Sequence, residues 1–154
     1  MKSRQKQTII AFIILTILSM CFIFGNSLQT ATQSSAQSGS IIELIKPILD
    51  PHGLISLDTF TFLIRKAAHM TEFGILGLCL GGLGISLSHY LHQKLVFPWL
   101  FLSLATAVTD EFLQYFSPGR SSEVRDVLVD FSGACLGLLF SLLIYHIIKH
   151  LRRR

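Results

Sequence analysis

Acidic, basic and imidazole side chains are concentrated in a few short stretches of this otherwise apolar sequence. Lys66, His69 and Glu72 lie in RKAAHMTEF (65–73), and on a helix they would fall within an arc of about 120°. A histidine one turn from a carboxylate can act as a general acid or base, can be fixed by a hydrogen bond, or can bind a metal. The chain has no HExxH motif, which favours the two metal-free interpretations.

A second group lies in TDEFLQYFSPGRSSEVRDVLVD (109–130), which contains five carboxylates and two arginines although 14% of the chain is charged. Asp110, Glu111 and Gln114 would share one helix face, over an arc of roughly 100°. Ionised side chains deep in a membrane cost about 2.5–3.5 kcal/mol each. We therefore expect these groups to meet one another, a cation, or water.

The third group combines acids with glycines. Asp126 and Asp130 are one helical turn apart, and Gly133 and Gly137 continue the same face within about 60°. Glycines allow a neighbouring helix to approach closely. We predict that this face packs against other helices, with Gly133 and Gly137 at the contact.

The segment FSPGRSSE separates the second and third groups. Pro118 and Gly119 favour a type II turn, from which Arg120 would project to bind a phosphate or a carboxylate. Ser121 or Ser122 would cap the helix that follows.

Long apolar segments surround all these groups. Hydrophobic residues make up 51% of the 154 residues, and TIIAFIILTILSMCFIFG has no charge across 18 positions, enough to cross about 30 Å of hydrocarbon. We predict an all-α integral membrane protein, a four-transmembrane-helix bundle in a single domain (1–154). The four helices are expected at about 8–25, 67–88, 96–116 and 124–148.

The remaining segment, 26–66, is predicted as an outer loop. NSLQTATQSSAQSGS (26–40) is rich in Ser, Thr and Gln and is predicted to be flexible and solvated. IIELIKPILD (41–50) is a short amphipathic piece that would lie on the membrane surface. SLDTFTFLIRK (56–66) either begins the second membrane helix or rests at the interface.

The distribution of charge predicts the topology. An even number of membrane helices places both termini on one side. Eight Lys and Arg residues then share that side, which is expected to be cytoplasmic: Lys2, Arg4, Lys6, Lys94, Lys149, Arg152, Arg153 and Arg154. All nine acids would face outward. The basic pI of about 9.2 then reflects this asymmetry, and no nucleic-acid partner is expected.

RKAAHMTEFGILG, followed by TDEFLQYFSPGRSSEVRDVLVDFSGACLG, resembles the VanZ-like family of bacterial membrane proteins. The family pattern is K-x-x-H-x-x-E/aromatic, then D-E-x-x-Q, a P-G-R turn, and D-x-x-x-D/N-x-x-G-x-x-x-G. It is matched here by Lys66, His69, Glu72, Phe73, Asp110, Glu111, Gln114, Pro118, Gly119, Arg120, Asp126, Asp130, Gly133 and Gly137. The match is close over 65–137, and FGNS (24–27) fits more loosely.

The resemblance implies a location and a site more than a reaction. The name member of the family is an accessory factor that gives low-level resistance to teicoplanin-type glycopeptides, and no biochemical activity is established for it. A VanZ-like domain would lie in the bacterial cell membrane as a multi-pass protein, with its functional face extracellular.

Two functions are favoured at this point, and a proton- or substrate-translocating relay and a purely structural scaffold stay open as weaker alternatives. In the first, an outward-facing polar pocket binds the head group of a lipid-linked cell-envelope precursor or modulates glycopeptide susceptibility. In the second, a small membrane enzyme carries out acid–base chemistry on a lipid head group. The catalytic candidates are His69, Glu72, Asp110 and Glu111. The ligand-binding candidates are Lys66, Gln114, Arg120, Asp126 and Asp130. We expect no cofactor, with a divalent metal at His69, Glu72 and Asp110 as the alternative.

Overall fold

The computed structural model describes residues 2–93 and 96–152, which form five α-helices and, within those ranges, no strand. The helices are α1 (Lys2–Ser27), α2 (Ala31–Leu49), α3 (Leu57–Leu91), α4 (Phe97–Tyr115) and α5 (Val124–Leu151). The predicted all-α class is confirmed. Four of the charges used to predict the topology lie outside the described part: Lys94, Arg153, Arg154 and the side chain of Lys2.

Among the described residues, three helices are long and apolar enough to cross a membrane. They are Ser3–Ser27, Leu57–Leu91 and Val124–Leu151. The fourth predicted span, 96–116, corresponds to α4, which is long enough but is not apolar enough to be counted with these three. Polar side chains in its last two turns lower its hydropathy, yet these side chains are buried against the other helices. The four-span count and the cytoplasmic termini therefore stay predictions.

Helix α2 corrects the expectation of a flexible stretch over 26–40. Thr30 and Gln33 form a capping box, in which the Thr30 hydroxyl accepts from the Gln33 N–H and the Gln33 side chain accepts from the Thr30 N–H. Such a box satisfies two backbone donors at the helix start. The N–H of Ala31 also donates to the carbonyl of Pro118, at 3.1 Å. Local capping and one tertiary contact thus order a segment whose composition predicted flexibility.

A short connection links α2 to the start of α3. Asp50 accepts hydrogen bonds from the N–H groups of Leu54 and Ile55, and its carboxylate lies 2.7 Å from Lys46 Nζ. The hydrogen bond from Lys46 lowers the pKa of Asp50 below its ordinary value. Asp50 therefore organises the connection in its ionised form.

Helix α3 is longer than a membrane requires. Its 35 residues rise about 52 Å, against about 30 Å of hydrocarbon. It begins at Leu57, so the predicted continuation of the second membrane helix into 56–66 is confirmed.

Helices α3 and α5 pack closely along their lengths through small residues. A Cβ added to Gly133 would collide with the carbonyl oxygen of Met70, and one added to Gly137 with that of Gly74. On the α3 side, a Cβ on Gly77 would meet the backbone of Ala134. The backbones of the two helices therefore touch, the contact that small residues allow between membrane helices.

Candidate functional site

Polar side chains from α1, α3, α4 and α5, and from the turn between α4 and α5, gather at one end of the bundle. We call this set the polar cluster and define it by Asn26, Ser27, Lys66, His69, Glu72, Asp110, Glu111, Gln114, Ser117, Arg120, Asp126 and Asp130. All nine predicted catalytic or ligand-binding candidates lie in it. Three residues were not predicted to be there: Asn26 and Ser27 at the end of α1, and Ser117 in the turn after α4.

His69, Asp110 and Asp130 converge from three different helices. His69 Nδ1 lies 3.7 Å from Asp130 Oδ1 and 4.0 Å from Asp110 Oδ2. Both distances exceed the range of a direct hydrogen bond. The two aspartates are buried, at 1% and 0% exposure, whereas a fifth of the His69 side chain is exposed. An imidazole thus stands between two enclosed carboxylates.

Asp110 is held from two sides. The hydroxyl of Ser27 donates to Oδ1, and the Gln114 amide donates to Oδ2 at 2.9 Å. The Ser117 hydroxyl donates to the carbonyl of Ser27 at 2.7 Å, so the turn after α4 is tied to the end of α1. These bonds fix the orientation of the Asp110 carboxylate while leaving lone pairs on both oxygens.

Glu72 has a different partner from the one expected. Its Oε1 accepts from the Asn26 amide at 3.0 Å, so it is not one of the residues whose ligand atoms converge with His69. Asp130 takes that place: one ligand atom each from His69, Asp110 and Asp130 lies within 4.8 Å of the others. The structure therefore changes the candidate metal set from His69, Glu72 and Asp110 to His69, Asp110 and Asp130.

Arg120 projects from the predicted turn. Gly119 has a φ of 77° and the Arg120 N–H donates to the carbonyl of Ser117 at 3.1 Å, as a type II turn requires. One guanidinium nitrogen, Nη1, donates to the carbonyl of Asn26 at 3.0 Å, whereas the buried Nε has no partner among the described residues. Burial lowers the pKa of Arg120 from its ordinary value, and nearby Arg65 adds to this effect.

The start of α5 uses acids rather than the predicted serines. The α5 N-cap is Glu123, and neither Ser121 nor Ser122 supplies the side-chain cap, so that prediction was wrong. Instead, Glu111 of α4 accepts from the backbone N–H of Glu123 at 2.5 Å. A carboxylate from a neighbouring helix thus accepts from the N–H of the N-cap residue itself, and no side chain caps the first turn of α5.

Lys66 and Asp126 form an ion pair between α3 and α5. About a quarter of each side chain is exposed. This pair joins α3 to the first turn of α5, and Lys66, which was expected to bind an anionic ligand, already has an acidic partner.

Negative charge exceeds positive charge in the polar cluster. Five carboxylates (Glu72, Asp110, Glu111, Asp126 and Asp130) accompany two side-chain cations, Lys66 and Arg120. Within the described residues, Asp130 Oδ2 and Glu111 Oε2 are buried and have no hydrogen-bond partner. Buried unpaired oxygens of this kind are costly, which makes them places to look for a ligand, a proton or an ion.

The opposite end of the bundle has a different character. A cavity of about 700 Å³ opens there between α3, α4 and α5, and its lining includes Gly84, Trp99, Cys135 and Leu138. We call it the apolar cavity. No member of the polar cluster lines it. His89 and Tyr145 both line it, with Nε2 and the phenol oxygen 2.7 Å apart.

The residues that the sequence did not place in the cluster carry weak signals. Asn26 and Ser27 end a long apolar helix, where small polar residues are common without a function. Their one signal is the loose FGNS resemblance at 24–27. Ser117 precedes the Pro118–Gly119 turn, and nothing in its own surroundings predicts a bond to α1.

Comparison with known proteins supplies a family. The model of the VanZ/LLP1 family matches residues 12–147, which is most of the chain. Comparison with curated proteins and with solved structures gives no match. The match includes the helices that carry the polar cluster and extends well beyond 65–137, where the resemblance was closest. The chain belongs to the VanZ/LLP1 family.

Proposed function

We propose that the polar cluster binds the anionic head group of a membrane lipid, of the kind that carries cell-envelope precursors. The observation that carries this proposal is Arg120. Its guanidinium has a buried Nε with no partner among the described residues, and the same cluster contains His69, a fifth of whose side chain is exposed. An arginine fork suits phosphate and carboxylate because it offers parallel donors.

Lys66 has a secondary role in this proposal. Because it is paired with Asp126, it shapes the rim of the site rather than taking the anion directly. Gln114 and Asp130 complete the lining, with Gln114 fixed by Asp110. Arg120 is therefore the cation proposed to take the anion.

The proposal includes a topology. We infer that α4 also crosses the membrane, so that a single domain with four spans has both termini in the cytoplasm and the polar cluster on the extracellular face. Two contacts support this. Asp110, near one end of α4, lies level with His69 and Asp130, whereas Trp99, near the other end, packs against Gly84. Helix α4 thus runs beside α3 from the level of the polar cluster to that of the apolar cavity.

Glycopeptide susceptibility follows from the same proposal. A protein that holds the head of an envelope precursor at the outer membrane surface would change the exposure of that precursor to teicoplanin-type antibiotics. This step rests on membership of the family and on the proposed topology.

A matched pair of arginines tests the proposal. Arg120 and Arg125 are five residues apart, but Arg125 is largely exposed and pairs with Glu123 at the surface. We expect Arg120→Ala to weaken binding of undecaprenyl phosphate by about 10–100-fold, the range for a charge-assisted hydrogen bond. Arg125→Ala should leave it within about twofold, because exposed pairs contribute little. Native mass spectrometry of the protein in detergent measures both. Equal effects of the two substitutions would overturn the proposal.

One observation favours the enzymatic alternative. His69 stands between two carboxylates without hydrogen-bonding directly to either, and part of its ring is exposed, an arrangement in which an imidazole could exchange a proton with a bound head group. In that case, purified protein given labelled membrane lipids would convert a head group. His69→Ala and Asp110→Asn would abolish the product without loss of binding. If wild-type protein forms no product, the enzymatic alternative fails.

A further inference from the structure

We propose that His69, Asp110 and Asp130 form a site for one divalent cation at the outer end of the bundle. The proposal goes beyond head-group binding and does not depend on it. It rests on the geometry of three donors, on an unpartnered buried oxygen, and on the charge of the surroundings.

The donors stand at the spacing that an ion can bridge. The three ligand atoms lie within 4.8 Å of one another, and His69 Nδ1 is 3.7 and 4.0 Å from the two carboxylate oxygens. Ligands at bond lengths of 2.0–2.1 Å around a tetrahedral ion are about 3.4 Å apart. To reach that spacing, His69 Nδ1 would move about 0.3 and 0.6 Å closer to the two oxygens, and the two carboxylate oxygens would approach each other by at most about 1.4 Å. At 3.7 and 4.0 Å, the contacts of His69 Nδ1 with the two carboxylates are too long for direct hydrogen bonds.

Asp130 supplies a second, independent observation. It is 1% exposed, and its Oδ2 has no partner among the described residues. Its other oxygen, Oδ1, is the atom nearest to His69. Since burying a carboxylate oxygen without a partner is costly, this group favours a bound cation at its free face.

Asp110 is oriented as a ligand would be. Ser27 and Gln114 each donate to one of its oxygens, and such outer hydrogen bonds hold a ligating carboxylate in place. The helices supplying the three donors differ, since α3, α4 and α5 give one each. A bound cation would thus join the outer ends of three helices.

The surrounding charge favours a cation too. The five carboxyl groups of the polar cluster outnumber its two cations and nearby Arg65, and a divalent ion would offset two negative charges. A set of one imidazole and two carboxylates suits Mn²⁺ and Zn²⁺ better than Mg²⁺, which prefers oxygen ligands alone. Mn²⁺ is the probe of choice because it has a low affinity for thiols, and this chain has three free cysteines.

The test uses full-length protein in detergent, stripped with chelator and titrated with MnCl₂. Electron paramagnetic resonance of free Mn²⁺ gives the number of sites and the affinity. We expect one site per chain, at least tenfold weaker in His69→Ala and in Asp130→Asn. Glu123→Gln is the matched control: it removes one carboxylate at the same end, on an exposed side chain, and should change the affinity less than twofold.

A second measurement needs only the wild-type protein, so it tests the site even if the variants do not fold. Electron spin echo modulation of Mn²⁺ bound to the wild-type protein should show coupling to a histidine nitrogen. Three results would overturn the site: no binding below 1 mM (an experimental limit set at roughly the weakest physiological metal affinities), bound Mn²⁺ without nitrogen coupling, or equal affinity in His69→Ala, Asp130→Asn and Glu123→Gln.

Discussion

The two ends of this bundle are built by the same three helices in opposite ways. At the polar cluster, α3, α4 and α5 are joined by pairs such as Lys66 with Asp126, and α1 reaches in through Ser27. At the apolar cavity, the same helices enclose about 700 Å³. Polar bonds between the helices are concentrated at one end, and open space marks the other. The comparison indicates that the first end is preorganised and the second is able to adjust.

The largest expected effect is on the free energy of unfolding, when one glycine at each end of the bundle is replaced by alanine. Gly133→Ala would push a Cβ into the backbone of Met70, whereas Gly84→Ala would meet the ring of Trp99, a side chain beside the cavity. We expect Gly133→Ala to lower the free energy of unfolding by about 1–3 kcal/mol, since backbone cannot move aside. Gly84→Ala should cost less than about 1 kcal/mol.

Thermal or denaturant unfolding in detergent measures both glycine variants. Gly25→Ala is the control for the substitution itself, because a Cβ at Gly25 meets nothing within 4 Å. Comparable losses at Gly133 and Gly84 would contradict the difference between the two ends.

Replacing one serine at each end of the bundle should change the free energy of unfolding by a somewhat smaller amount. Ser27→Ala removes a donor from the buried Asp110, whereas Ser141→Ala, near the cavity end, removes a bond to the carbonyl of Leu138 in its own helix. We expect Ser27→Ala to cost about 1–2 kcal/mol of unfolding free energy, because a buried acceptor loses its partner. Ser141→Ala should be close to neutral. If Ser141→Ala proves the more damaging change, the polar cluster is not the preorganised end.

The smallest expected effect is on amide exchange in the connection that Asp50 organises, and this effect depends on pH. Its pKa is lowered in the folded protein by the hydrogen bond from Lys46. Its contribution is therefore full above the ordinary carboxyl pKa of 3.8 and is lost as the pH falls through the lower, folded value. At pH 7, Asp50→Asn should speed amide exchange at Leu54 and Ile55 by less than about tenfold.

The exchange measurement also has a matched control. Asp58→Asn removes a carboxylate from the exposed first turn of α3 and should leave Leu54 and Ile55 unchanged. If Asp50→Asn leaves exchange at these two amides unchanged, or if Asp58→Asn changes it equally, Asp50 does not organise the connection.

Helical periodicity accounts for most of what the sequence predicted about the cluster. Lys66 and His69 share a face at the spacing of one turn, as do Asp126 and Asp130, and the structure brings His69 beside Asp130 and Lys66 beside Asp126. The Pro118–Gly119 turn was likewise readable, because a positive φ there requires glycine. These features depend on neighbours within a turn of the chain.

What the sequence did not predict depends on contacts between distant segments. The bond from Ser27 to Asp110 joins positions 83 residues apart, and a serine at a helix end carries no signal of such a partner. Glu72 was assigned to the wrong neighbour because Asn26 could not be placed beside it. Helix α2 is a different case: Thr30 and Gln33 have the spacing of a capping box, but the polar composition around them outweighed that local signal.

An experimental structure in lipid nanodiscs containing undecaprenyl phosphate is the most direct test of head-group binding at the polar cluster. We expect density for a phosphate at about 3 Å from the guanidinium of Arg120. Lipid head groups ordered at the opposite end, beside Lys149 and Arg152, with no anion at Arg120, would contradict it.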